Sequence, residues 1–394
     1  MDYIRKIQMY PFIKDLHTIH NSLVTSPPEG YKFIGNDTSF LYNLKKRISG
    51  SRIIRFVYHV FLKIFKTTKI IEATEKSNIL NNANLLFSGG IIHGTNKPWV
   101  LYMFDHRACL AGNNYELFLK DKGKIEEALI SDNCKKIVCT NKSPIPFMKK
   151  HFQKKIIDKI VLIRLAIKER KKKVYKKKDK IQILFMGSIN NPQDFYIKGG
   201  LYVIETFKKL SKRNDVRLVI RCKIPAKIKD ELRGLKNLTI IEEKIPFENI
   251  IKLYQDSSVL FMPGHNYSVT SFLEGMSFGL PIIALNTYAV EDFVKNNYNG
   301  IIVKRSSNIK GYKDEAYPTC IRSDKFMKEV INNRDPKVVN NLIKQIERLI
   351  KNRKLIKKMS SNCQKEVKKK YSLKVRNKGL KKVFDDIFRN VRDK

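Results

Sequence analysis

Acidic residues are scarce in this 394-residue chain: 37 Asp and Glu stand against 79 Lys and Arg, a formal charge of +42. Such an excess points to a polyanionic neighbour, whether nucleic acid, an anionic membrane surface or a phosphorylated ligand, or to a background composition rich in Lys, Ile and Asn. Long apolar runs are also missing. No stretch approaches the roughly 20 uncharged apolar residues of a membrane-spanning helix. Met1 to Tyr10 carries no apolar run of the signal-peptide kind. A cytoplasmic protein, soluble or peripheral on the inner face of the cell membrane, is therefore expected. The six cysteines, at 109, 134, 139, 222, 320 and 363, include no CxxC pair. This speaks against a cysteine zinc site or a redox pair and for reduced thiols. No RNP-like, helix-turn-helix or zinc pattern appears, so nucleic acid is not the expected partner. No repeat of solenoid length is present.

What is there reads as a globular α/β chain. Hydrophobic residues make up 42%, and the length suits two domains. In the second half, short β-branched runs alternate with segments of helical period. The runs are Ile181–Met186, Val216–Arg221, Leu238–Ile241, Val259–Met262, Pro281–Leu285 and Ile301–Val303. They lack polar alternation, as strands covered on both faces do. Leu201–Leu210 and Ile250–Gln255 read as helices between them. Strand and helix in succession predict a doubly wound parallel sheet. The first half offers weaker candidates at Lys6–Met9, Asn84–Phe87, Trp99–Phe104, Lys136–Cys139 and Ile160–Ile163. From Lys168 to Lys180, nine of thirteen residues are basic, which suits a hinge and not a core element. The expected division is 1–170, a basic linker at 171–180, 181–370, and a tail at 371–394. Val375, Leu380, Val383, Phe384, Ile387 and Phe388 in that tail have the spacing of an amphipathic helix. Lys304 to Asp335 is long for a connection and reads as a lid or an insertion.

The chemistry concentrates in Pro263 to Pro281, PGHNYSVTSFLEGMSFGLP. A strand feeds a polar loop, and Ser268 and Thr270 suit the N-terminus of a short helix that leaves through Gly279. A helix N-terminus at the C-terminal edge of a sheet can hold phosphate. Glu274, one or two turns in, can accept from a pair of ribose hydroxyls. A second segment follows Ile181–Met186: Gly187 and Ser188, a loop, then Lys198, Gly199, Gly200 and a helix. Lys198 suits a phosphate as a point charge, and Arg221 ends the neighbouring strand.

These two segments resemble the donor-binding signature of the family 4-like (group 1) glycosyltransferases, most specifically in LEGMSFGLPIIAL and across about 180–305. The resemblance implies the GT-B architecture: two Rossmann-like domains facing a cleft, with a C-terminal helix crossing back to the N-terminal domain. It implies that Glu274 binds the donor ribose, that Lys198 grips the diphosphate, and that Gly187 is the strand-ending turn of the donor site. Two residues depart from the family pattern. Asn266 stands eight before Glu274, where a Glu contacts the donor sugar, and Ser188 stands where an Arg holds the diphosphate. Arg221 can take over that second role, and Asn266 can still hydrogen-bond sugar hydroxyls. The resemblance further implies transfer of a hexosyl-type sugar from a nucleotide-sugar to a glycan or lipid-linked acceptor. Retention of configuration and no cofactor or metal are part of the same implication, and no DxD-like motif lies near the donor segments.

In the N-terminal half, Trp99 to Phe104 delivers Asp105 and His106 to a strand end, where ligands of α/β sheets bind. By the same resemblance, His106 contacts donor sugar or acceptor with Asp105 beside it. An imidazole suits proton handling near neutral pH, although a hydrogen-bonded His at a loop start reads the same way. His93 and Gly89–Gly90 lie upstream. Arg52 to Lys66, RIIRFVYHVFLKIFK, forms a basic stripe beside an apolar face. It is either an interfacial membrane helix or a domain helix packed on its sheet. A non-catalytic scaffold of the same fold, a sugar-nucleotide epimerase and a nucleic-acid-binding protein remain the alternatives.

Overall fold

A computed structural model describes residues 4–10, 12, 18–35, 82–90, 92–93, 97–103, 115–170, 180–266, 268–313, 317–318 and 324–392. The chain divides into two compact units. One comprises Met1–Ala166 with Leu373–Lys394, and the other Ile167–Ser372.

The first unit holds β1 (Arg5–Tyr10), β2 (Tyr31–Ile34), β3 (Leu85–Gly89), β4 (Trp99–Met103), β5 (Cys134–Cys139) and β6 (Ile160–Leu162). They form one six-stranded sheet in the order β2-β1-β3-β4-β5-β6, and every pairing is parallel. Strand β4, WVLYM, is buried at every position, as a central strand covered on both faces must be. On one face Trp99, Leu101, Met103 and Ile137 pack against Phe118, Ile125, Leu129 and Met148. On the other, Phe384 of the helix Leu373–Arg392 meets Tyr31, Phe33 and Phe87.

That helix buries Leu380, Val383, Phe384, Ile387 and Phe388. Val375 departs from the expected stripe and is 42% exposed, because the stripe passes through Arg376, one position later. Arg376 is 2% exposed. Its guanidinium donates to Ser22 Oγ at 2.6 Å and to the carbonyls of Ser22 and Ser26 at 3.0 and 2.7 Å. These carbonyls lie at the end of the helix Thr18–Thr25; they also accept from Ser26 N and Asn377 Nδ2, so the buried cation adds a charged donor there.

The second unit holds β7 (Ile181–Met186), β8 (Val216–Arg221), β9 (Leu238–Ile241), β10 (Val259–Met262), β11 (Ile282–Leu285) and β12 (Gly300–Val303). Their order is β12-β11-β10-β7-β8-β9, again parallel throughout. Counted from β7, this is the doubly wound order 3-2-1-4-5-6, with its switch point between β7 and β10. Each strand expected in this half is present. Strand β11 begins at Ile282 instead of Pro281, since proline has no N–H for the ladder. The carbonyl of Pro281 still accepts from Leu260 N. The segment after β12 carries β13 (Tyr312–Lys313) paired antiparallel with β14 (Tyr317–Pro318), then the helix Asp324–Ile331. The fold class is thus α/β with two doubly wound units, as expected.

Candidate functional site

The switch point of the second unit places two loops side by side. The first leaves β7 through Gly187, where a Cβ would fall 2.2 Å from Cys222 Sγ, so a larger residue would have to displace the Cys222 side chain. Gly187 N donates to the Arg221 carbonyl at 2.8 Å, and Lys223 N donates to the Ser188 carbonyl at 2.9 Å. Ser188 and Arg221 are therefore neighbours across β7 and β8. The Ser188 hydroxyl accepts from Asn190 N at 3.2 Å and closes a turn. One Arg221 Nη reaches the Gly187 carbonyl at 3.5 Å, while its Nε is buried without a hydrogen-bond partner.

The second loop joins β10 to the helix Val269–Ser277. It packs backbone against backbone on the first loop's far end. Gly199 has φ +82°, and a Cβ there would lie 2.0 Å from the Pro263 carbonyl oxygen. His265 N donates to the Ile197 carbonyl at 2.8 Å. With the loops at this spacing, Lys198 Nζ donates to Asn266 Oδ1 at 3.2 Å and to Ser268 Oγ at 2.8 Å. Ser268 occupies the helix N-cap position, but its side chain makes no cap hydrogen bond. The expected capping role is replaced by acceptance from Lys198. Thr270 lies half-buried in the helix's first turn.

Glu274 lies one turn further along, half-buried. The Tyr254 hydroxyl, deep under helix Phe247–Asp256, faces Glu274 and Ser271 with Arg221 in electrostatic range. Burial first, then the Glu274 carboxylate, push that phenol well above its ordinary range, while Arg221 opposes them. Gly275 lets the helix sit on β10, since a Cβ would meet Leu260 Cδ2 at 2.7 Å. Gly279, at φ +74°, ends it in the left-handed conformation that suits a helix C-terminus.

The structure thus gathers Gly187, Ser188 and Arg221 at one edge, Lys198, Asn266 and Ser268 at the other, and Glu274 beside Tyr254. Tyr254 had no signal in the sequence, because an aromatic on an amphipathic helix reads as core. Asp105 and His106 lie outside the described residues, as does Arg52 to Lys66. His93 follows β3, where Gly89 and Gly90 turn the chain. Its Nε2 lies 2.9 Å from Ser88 Oγ, and its ring packs edge-on to Tyr10 and Trp99. Burial lowers this imidazole to about 4, which marks a neutral packed side chain. Among the described residues, no group of three or more His, Cys, Asp or Glu gathers as a metal site would need. Cys134, Cys139, Cys222 and Cys363 are buried thiols.

Residues 180–316 match the family Glycosyl transferases group 1. The resemblance drawn from the donor signature is borne out over this stretch. Solved structures extend the likeness in fold to nearly the whole chain. HepE of Anabaena, solved with UDP and glucose, superposes with a TM-score of 0.56 at 10% identity, covering 97% of this chain and 99% of that one. A glycosyltransferase of Rickettsia africae gives 0.58 at 13% identity, covering 99% and 100%. Sucrose-phosphate synthase of Thermosynechococcus elongatus gives 0.53 at 13% identity, covering 78% and 74%. No curated protein matches the chain in sequence.

Proposed function

We propose that this protein is a glycosyltransferase that moves a hexosyl-type sugar from a nucleotide-sugar donor to a hydroxyl of a glycan or lipid-linked acceptor. The observation that carries this reading is the gathering of Lys198, Asn266, Ser268, Arg221 and Glu274 around the switch point of a doubly wound sheet. In such sheets a nucleotide sits outside the carboxyl ends of the strands at that point. The group 1 family match over 180–316 supports the same reading. So does the fold shared with HepE, a protein solved with UDP-glucose.

Each residue then has a task. Glu274 accepts from the ribose hydroxyls, with the Tyr254 hydroxyl beneath it. Lys198 and the backbone N–H groups at the start of helix Val269–Ser277 face the diphosphate, and the Arg221 guanidinium supplies a further positive charge. Asn266 and Ser268 contact the donor sugar side. As the bond from the anomeric carbon to the diphosphate oxygen breaks, the acceptor oxygen bonds to that carbon on the same face. The acceptor's proton passes to the departing diphosphate, and configuration is retained. Fixed positive charge at the diphosphate does most of the work in such a step, so the reading assigns no metal and no cofactor. His106, with Asp105 beside it, keeps the catalytic role that the resemblance implies, in contact with donor sugar or acceptor. The excess of basic residues suits an anionic membrane surface at a cytoplasmic face, and no described helix is long and apolar enough to cross a membrane.

The test is release of nucleoside diphosphate from nucleotide-sugars in the presence of candidate acceptors. Arg221→Ala and Lys198→Gln should each weaken donor affinity about tenfold or more. Unchanged affinity in both would remove the diphosphate assignment.

A further inference from the structure

The donor loop is held from behind by a residue that the reading above does not use. His265 lies between Gly264 and Asn266 and is 2% exposed. Its Nδ1 lies 2.6 Å from the Tyr312 hydroxyl. Its ring packs against Tyr202 at 5.6 Å and edge-on to Phe326 at 6.3 Å. Tyr312 belongs to β13, in the long segment after β12, some 47 residues along the chain. That segment is itself pinned: Gly311 N donates to Glu329 Oε2 at 2.8 Å, and the Arg305 guanidinium lies 4.7 Å over the Tyr312 ring.

We infer that the His265–Tyr312 pair is a positioning device that sets the height of the donor loop, and so places Asn266 and Ser268 against Lys198. The link is short in both directions. From the His265 backbone, N–H reaches the Ile197 carbonyl at 2.8 Å, next to Lys198. On the following residue, Asn266 Oδ1 accepts from Lys198 Nζ at 3.2 Å. A loop that shifts by a fraction of an ångström loses one or both contacts of the ammonium. The hydrogen bond is neutral at any working pH. Burial takes the imidazole down to about 3 and raises the Tyr312 phenol above its ordinary value. The segment after β12 therefore serves the donor loop through this pair. This inference rests on the proposed donor site for its functional consequence, but the positioning itself does not.

Tyr312→Phe tests it with the least disturbance, since the ring stays against Phe326 and Arg305 and only the hydroxyl goes. Full-length wild type, Tyr312→Phe, His265→Phe and the double variant are compared in two ways. The first is hydrogen exchange of the His265 amide, which should quicken about tenfold in Tyr312→Phe while strand amides of β7 and β10 stay unchanged. The second is binding of nucleoside monophosphates and of nucleotide-sugars. Nucleotide-sugar affinity should fall about tenfold and monophosphate affinity should hold, because Glu274 stands on a later turn of the helix. The double variant should be no weaker than either single one, as coupled partners require. Unchanged exchange at His265, or equal loss of both ligands, overturns the inference. If wild type binds no nucleotide-sugar at all, the proposed function fails while the exchange result still decides the pair.

Discussion

Gly199→Ala is the sharpest structural test of how the two loops meet. The residue has φ +82°, and its new Cβ would stand 2.0 Å from the Pro263 carbonyl oxygen and 3.0 Å from Gly264 N. The left-handed backbone alone costs an L-residue about 1–2 kcal/mol. The clash is with backbone, so relief requires the loops at 198–200 and 263–266 to part, adding roughly 1–2 kcal/mol of lost packing and hydrogen bonding. A loss of about 3 kcal/mol in a unit of this size lowers the melting temperature by about 6–12 °C. Gly234 supplies the control. Its φ is +75° and a Cβ there meets nothing within 4 Å, so Gly234→Ala should cost about 1 kcal/mol and about 2–4 °C. Calorimetric melts with and without nucleotide-sugar read both effects. Gly199→Ala should also lose most of the ligand-induced rise, because Lys198 no longer reaches Asn266 and Ser268. Equal melts for the two variants, with the rise intact in both, would refute the backbone-on-backbone contact.

Other consequences can be checked separately. The Arg334 hydrogen bonds hold Glu231 down to about 2, from an ordinary 4.5, with Lys208 assisting against burial. Its contribution to stability is present above pH 4.5 and lost as pH falls through about 2; Arg334→Met should remove the larger part of it from the acid-unfolding profile and leave the share that Lys208 supplies. His93 and His265 run to about 4 and about 3 from 6.5. Depressed imidazoles stabilise the fold above pH 6.5 and lose that support as pH falls toward those values, at about 1.4 kcal/mol per pH unit each. Denaturant midpoints of His93→Phe and His265→Phe should therefore fall less steeply than wild type between pH 6.5 and 4, and equal slopes would contradict the burial. Arg376→Met should destabilise the first unit by about 1–3 kcal/mol, because the Ser22 hydroxyl and the carbonyls at Ser22 and Ser26 lose a charged donor; no measurable change would contradict the anchoring role.

The second unit was legible because its strands are continuous apolar runs and its turns are marked by glycine. Val259–Met262 could only be a covered strand, and the run from Leu273 to Leu285 carried both a helix stop and the next strand. Glu274 and Lys198 followed from their places in that frame. Strand β2, YKFI, was missed: four residues with a lysine among them carry too little signal against loop. The role of Ser268 was misjudged because N-cap preference is local, while the ammonium that claims its hydroxyl comes from 70 residues away. Tyr254, His265 and Tyr312 were invisible for the same reason. Each is an ordinary aromatic or histidine until folding sets it beside a partner. Arg376 sits on the stripe that apolar residues define, and no periodicity reveals that a guanidinium can stand there when carbonyls await it.

The measurement that bears most directly on the proposed function is a thermal-shift series with UDP, GDP and ADP and their sugar conjugates, on wild type and Glu274→Ala. A ligand that binds the folded state raises the melting temperature with the logarithm of its excess over the dissociation constant. The account predicts a rise with one nucleotide family, larger for the sugar conjugate, and its loss in Glu274→Ala. No rise with any of them, or an equal rise in the variant, would contradict a nucleotide-sugar site at the β7–β10 switch point.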